Sequence, residues 1–130
     1  MNHLNSILLE GVVTYDPVMT GQNGRRLVRF GLVSDNPCPE GKGSGGPLFI
    51  AVKTWGALAV NCVGKIRKGM TCRAVGRLRM TEGTGKDGVP ARFYEIAAEH
   101  VEYLVPGGRQ GTDDYKVVSS TLKGGRENEE

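Results

Sequence analysis

Hydrophobic and polar positions alternate through most of the first hundred residues, with the period of strands. Asn5–Tyr15 is apolar and β-branched, and Asp16-Pro17 closes it with a turn signal. The Asn23-Gly24 pair within Gly21–Arg26 is a hairpin signal, so a second strand is expected over Leu27–Ser34. There Val28, Phe30 and Leu32 share one face, with Arg29 and Gly31 on the other. The Gly- and Pro-rich stretch Pro37–Pro47 reads as a loop, and Leu48–Trp55 as a third strand. The period then changes. In Ala57–Lys68, Leu58, Cys62 and Ile66 recur every four residues beside Ala59 and Val63, which predicts a helix. Lys65, Arg67 and Lys68 suit the negative end of its dipole, and Gly69 is a good stop. Met70–Met80 is a fourth strand, and its interior Gly76 marks a bend or bulge. Thr81–Ala91, with Gly83, Gly85, Asp87-Gly88 and Pro90, reads as a long hairpin loop leading to a fifth strand, Arg92–Leu104.

This order predicts an all-β fold with one short helix, a five-stranded Greek-key barrel of the OB type; another five-stranded barrel is the competitor. Beyond Pro106-Gly107-Gly108 the apolar pattern fades, so residues 1–105 form the expected domain and 106–130 a flexible tail.

Composition removes several classes. Glycine fills 20 of 130 positions without a G-X-Y period, which excludes collagen and suggests many turns. No apolar run approaches the ~18 residues of a membrane helix. The start, MNHLNSILLE, has no basic residue and is not a secretory signal, so cytoplasmic residence is expected. Cys38, Cys62 and Cys72 are odd in number and form no C-x-x-C pair, so neither a disulfide framework nor a zinc site is expected. His3 and His100 supply no Ser-His-Asp or Cys-His set. Pro39–Gly46 resembles a phosphate loop but lacks the G-x-x-x-x-G-K-[ST] spacing. No enzyme activity and no cofactor are expected. The net charge is +3, and residues 106–130 hold four basic against five acidic side chains, which leaves +4 on the body.

The third strand carries the candidate chemistry. Leu48, Ile50 and Val52 make a core face, and alternation sets Phe49, Lys53 and Trp55 together on the other. Two large aromatics around a cation suit single-stranded nucleic acid, whose bases stack on rings for ~1–3 kcal/mol each. The alternative is a second apolar face covered by a loop or a subunit. On the fourth strand Arg73, Arg77 and Arg79 share a face, suited to a phosphate backbone or simply to solvent. Arg25, Arg26, Lys42, Lys86 and Arg92 lie in or beside the Gly-rich loops. The candidate binding set is Phe49, Trp55, Lys53, Arg73, Arg77, Arg79, Arg29, Lys86 and Arg92.

LFIAVKTWGAL (Leu48–Leu58) resembles the middle of bacterial single-stranded-DNA-binding proteins (SSB). LNSILLEG with its spaced Asp-Pro, LVRFGLV, KIRKGMTCRAVGRLR, and KDG with AAEHVEYL are similar to further segments of that family, in order, from about Leu4 to Leu104. The resemblance implies an OB fold, assembled as a homotetramer, that wraps single-stranded DNA without sequence preference in replication, recombination and repair. It implies a nucleoid-associated cytoplasmic protein with Phe49 and Trp55 as stacking aromatics. Two further stacking positions fall on Cys38 and Gly83, which cannot stack, and this implies a larger share for charge; Lys53, where the family often has an apolar residue, fits that. The ending GGRENEE is acidic but lacks the Pro-Phe tip through which family members recruit replication and repair partners. Primosomal protein N, a related dimeric OB protein of replication restart, is a second resemblance, and an OB protein-interaction module using the same aromatic face is a third reading. W-G-x-L-A at Trp55–Ala59 favours the first.

Overall fold

The computed structural model describes residues 3–22, 25–35, 46–105 and 115–121. Its elements are β1 (Ile7–Gln22), β2 (Arg25–Ser34), β3 (Leu48–Trp55), α1 (Gly56–Lys65), β4 (Thr71–Thr84), β5 (Pro90–Leu104) and β6 (Tyr115–Val118). The strands lie in the order β3-β2-β1-β4-β5-β6, and a parallel pairing of β3 with β5 closes the first five on themselves. Closure runs through Ala51↔Glu95, Val52↔Ile96 and Lys53↔Ala97. The result is the expected OB-type barrel, which leaves few open strand edges.

Alternation supplies the core. Val28, Phe30 and Leu32 of β2, Val52 of β3, Cys72 and Ala74 of β4, and Ile96 and Val101 of β5 are all fully buried. Thr54 is also buried, and its hydroxyl donates to the Val28 carbonyl at 3.2 Å. Helix α1 lays Leu58, Ala59 and Cys62 into the same core. Burial pushes the Cys62 and Cys72 thiols up to about 12, so both stay protonated and unreactive.

The helix stops three residues before the predicted Lys68. Ile66 turns to an extended conformation and is fully buried in the core. Arg67 Nη1 donates to the carbonyls of Val63 and Ile66 at 2.7 and 2.8 Å, which satisfies acceptors at the helix end. The chain then locks onto β1: Lys68 N–H donates to Asp16 Oδ1, Gly69 N–H to the Val13 carbonyl, and Val13 N–H to the Met70 carbonyl, each at 2.8 Å.

Three irregularities change which face a residue occupies. On β1, register shifts between Val13 and Tyr15 and between Tyr15 and Val18 carry the strand through Asp16-Pro17, which the sequence reads as its end. Val13 opposes Leu32 and Tyr15 opposes Gly31, so one residue of β1 is extra and Tyr15 leaves the core phase of Val13. On β5, Val75 opposes His100 while Gly76 opposes Ala98, which leaves Glu99 as the extra residue. A Cβ on Gly76 would overlap the Ala97 carbonyl, so this close approach requires glycine, as the interior position suggested.

Two expectations need correction. Thr81–Ala91 is not mainly loop: β4 and β5 pair out to Thr84↔Pro90, and only the tip around Lys86 turns. The 106–130 segment is not wholly a tail. Tyr115–Val118 pairs with Val101–Leu104 as a sixth strand, Val118 is buried, and Asn61 of α1 donates to the carbonyls of Ser119 and Thr121. Four residues after a Gly-rich polar stretch give too little periodicity to be read. Cys38 and Lys42 lie outside the described residues.

Candidate nucleic-acid interface

The outward face of the barrel begins on the regular β2–β3 pair. Here Val33↔Phe49, Gly31↔Ala51, Arg29↔Lys53 and Leu27↔Trp55 oppose one another without a register shift. Alternation therefore places Phe49, Ala51, Lys53 and Trp55 on one side, and Arg29 joins them across the ladder. Tyr15 comes from β1 through its bulge. Its ring lies over Gly31, where a Cβ would meet the ring edge at 2.8 Å, so the missing side chain makes room for it.

Together these residues shape a groove. A hollow of about 540 Å³ is lined by Tyr15, Arg29, Phe49, Lys53, Phe93 and Tyr94, among others. A second of about 460 Å³ continues along Val18, Thr20 and Leu27 and shares Tyr15, Arg29 and Lys53 with the first. The aromatics stand open: Phe49 is 68% exposed, Tyr94 55%, Phe93 46% and Tyr15 37%. Three of these four escape sequence reasoning. Tyr15 is hidden by the β1 bulge. Phe93 is hidden because Glu99 breaks the phase of β5: counting back by twos from the core position Val101 sets Phe93 inward, whereas Ile96 is the core position on its side of the bulge. Tyr94 follows Ile96 in phase and is exposed where β5 runs out along the β4–β5 arm. Phe93 also packs its ring over Gly83, where a Cβ would meet the ring at 3.3 Å.

The predicted cations divide sharply. Arg29 and Lys53 line the groove. Lys53 Nζ is paired to Glu95 Oε1 at 2.9 Å, so its charge is largely neutralised in place. Arg79 lies with Cζ 5.4 Å from the Trp55 ring centroid, within cation–π range, at the flank. Arg77 meets Glu99 at 3.5 Å, both side chains being solvent-exposed, a pairing that salt screens readily. Lys86 and Arg92 are exposed on the β4–β5 arm. Arg73 is elsewhere. It bonds Glu10 at 3.1 Å, approaches Glu102 at 3.7 Å, and stacks 3.7 Å over the Tyr115 ring. The Tyr115 hydroxyl donates to Glu10. That hydrogen bond, with help from Arg73, holds the Glu10 carboxyl below its usual range against a smaller opposing effect of burial.

Among the described residues no group of three His, Cys, Asp or Glu is placed to hold a metal ion. No helix among them is long and apolar enough to cross a membrane.

A closed five-stranded barrel with an aromatic, cation-bearing outer groove defines an OB-fold binding protein. The profile of the single-strand binding protein family matches residues 4–104, and the chain belongs to that family. It is 29% identical over 112 residues to a single-stranded DNA-binding protein of Oceanobacillus iheyensis, covering 85% of this chain and 70% of that protein. It is 25% identical over 118 residues to single-stranded DNA-binding protein 2 of Chlorobaculum tepidum, covering 88% and 80%. Among solved structures, the small single-stranded DNA-binding protein from Streptomyces coelicolor superposes with a TM-score of 0.65 at 24% identity, covering 83% of this chain and all of that one. The Plasmodium falciparum SSB, in complex with ssDNA, gives 0.63 at 21% identity, covering 74% and 87%. At those identities the likeness is one of fold.

Proposed function

We propose that this protein binds and protects single-stranded DNA, reading the strand through stacking and charge, and that it is a binding protein and not an enzyme. The observation that carries the reading is the groove: four exposed aromatic rings line one hollow of an OB barrel together with Arg29 and Lys53, in a member of the single-strand binding protein family. Bases stack on Phe49, Phe93, Tyr94 and Tyr15, with Trp55 extending the path along β3. Arg29, Arg77 and Arg79, with Lys86 and Arg92 on the arm, meet phosphates, since none of them is tied down in a buried pair. Arg73 is left out of the contact set because its charge is already engaged.

Self-assembly is part of the proposal. Leu8 and Val12 on β1 and Val117 on β6 are exposed apolar side chains, suited to cover by a second copy of the chain. Service in replication, recombination and repair follows from a binder that asks for single-strandedness.

The test is fluorescence anisotropy of a labelled oligonucleotide, with a duplex of equal length as control, across a salt series. The expected result is saturable binding to the single strand, weaker binding to the duplex, and a steep fall in affinity with salt. Absence of saturable binding at low salt overturns the reading and promotes the protein-interaction module.

A further inference from the structure

A glycine inside a β-strand weakens it, and the strand glycines of this barrel have two kinds of neighbour. At Gly11 on β1 and Gly76 on β4, a Cβ would overlap a carbonyl of the neighbouring strand, that of Val33 and that of Ala97, so backbone fills the space. At Gly31 on β2 and Gly83 on β4, a ring fills it. A Cβ on Gly31 would lie 2.8 Å from Tyr15 Cε2 and 3.4 Å from its Cδ2. One on Gly83 would lie 3.3 Å from Phe93 Cε2 and 3.7 Å from its Cδ2. The same ring edge is seated in both places. A Cβ on Gly31 would also overlap the Thr14 hydroxyl, whereas at Gly83 only the Phe93 ring stands within 4 Å among the described residues. Neither glycine has a positive φ, so backbone conformation does not require one. Both rings line the larger hollow, and they are the two least exposed of its four aromatics.

We propose that Gly31 and Gly83 are positioning residues for strand binding: each is a seat that holds one groove ring in the orientation in which a base stacks on it. The proposal rests on the single-strand reading above. Stacking a base on a ring orders that ring, which costs rotamer freedom unless the protein has ordered it beforehand. A ring lodged in the gap left by a missing side chain has lost that freedom before the base arrives. A side chain on the glycine lifts the ring edge from the backbone and reopens its rotamers. The seat serves every base alike, because it acts on the ring and reads no base edge. The fold gives up in exchange the β-propensity and packing that a branched side chain would bring to the same position. Stability and affinity therefore pull in opposite directions at Gly83.

The test is Gly83→Val, read by fluorescence anisotropy of labelled oligo-dT and by melting temperature. A β-branched side chain suits this exposed strand position, so the melting temperature is expected to hold or rise. Affinity for the single strand is expected to fall about three- to tenfold, the loss for one side chain left to be ordered on binding. Phe93→Ala is expected to lose more. Adding Gly83→Val to Phe93→Ala is expected to cost nothing further, since no ring remains to unseat. Gly31→Ala, made in the wild type and in Tyr15→Ala, repeats the cycle on β2 with the same expected coupling. Unchanged affinity in Gly83→Val overturns the positioning role and leaves the single-strand reading standing. A loss that persists undiminished without the Phe93 ring also overturns it, as does a loss that comes with a lower melting temperature. Absence of saturable binding by the wild type overturns the single-strand reading itself.

Discussion

Two places on β4 set an arginine against an aromatic ring, and they do opposite things. Arg73 stacks 3.7 Å over Tyr115 and is held by Glu10 and Glu102. Arg79 lies 5.4 Å from Trp55 with no carboxylate within ion-pair distance among the described residues. The first cluster gathers β1, β4, β5 and β6, and works as a latch for the last strand. The second leaves its guanidinium available beside an open groove. Residue type does not separate them; what separates them is whether the protein supplies the counter-charge itself. An arginine already neutralised by two acids gains little from a phosphate, whereas an unneutralised one gains the release of condensed counterions.

The largest effect expected on either side is at the latch. Val118→Asp places an uncompensated charge in the core and should cost roughly 3–5 kcal/mol, read as a lower melting temperature. Protein still folded at low temperature should bind a single strand as before. On the groove side, Phe49→Ala should weaken binding by ~1–3 kcal/mol while the melting temperature stays put, because the ring is mostly exposed and supports little of the fold. A joint loss of stability and affinity in that variant would merge the two regions and sink the distinction. Next come the paired arginines. Arg79→Met should reduce the slope of log affinity against log salt by about one, whereas Arg73→Met should leave the slope unchanged and lower stability.

The smallest effect is the acid limb of stability. The folded carboxyl of Glu10 titrates below its unfolded value, held there first by the Tyr115 hydroxyl. Its contribution is therefore complete above the ordinary carboxylate range and is lost as pH falls through the depressed value. Glu10→Gln should flatten the decline in melting temperature over that acid window, a modest change because the pair is solvent-exposed. An acid limb identical to the wild type would remove Glu10 from the latch.

How much of this could be read from the chain depends on where the ladder is regular. The β2–β3 pair runs without a shift, so Phe49, Lys53, Trp55 and Arg29 could be set on one face by counting twos. Tyr15 and Phe93 could not, because the extra residues near Thr14 and at Glu99 invert the count, and a bulge leaves no mark in single-sequence alternation. Counting put Arg73 with Arg77 and Arg79, but four residues of strand separate it from Arg77 by about 13 Å. Its partners lie far away in sequence: Glu10 is 63 positions distant, and Tyr115 belongs to a strand whose four residues offer no period to read. The barrel and its helix were legible because core positions such as Val28, Phe30 and Leu32 on β2 and Leu58, Ala59 and Cys62 on α1 fall on strand and helix periods that need no partner to be recognised. Glu95 was silent for the opposite reason, since an acid in a strand reads as solvent-facing until the neighbours that bury it are known.

Trp55 is the only tryptophan, and it lies on the β3 face that bears Phe49 and Lys53. Its fluorescence, titrated with a single strand and with a matched duplex at low and moderate salt, tests the central claim most directly. Saturable quenching by the single strand, weaker with the duplex and declining as salt rises, is the predicted result. A flat signal, together with unchanged anisotropy of a labelled strand, would contradict it and show that the aromatic groove serves some other partner.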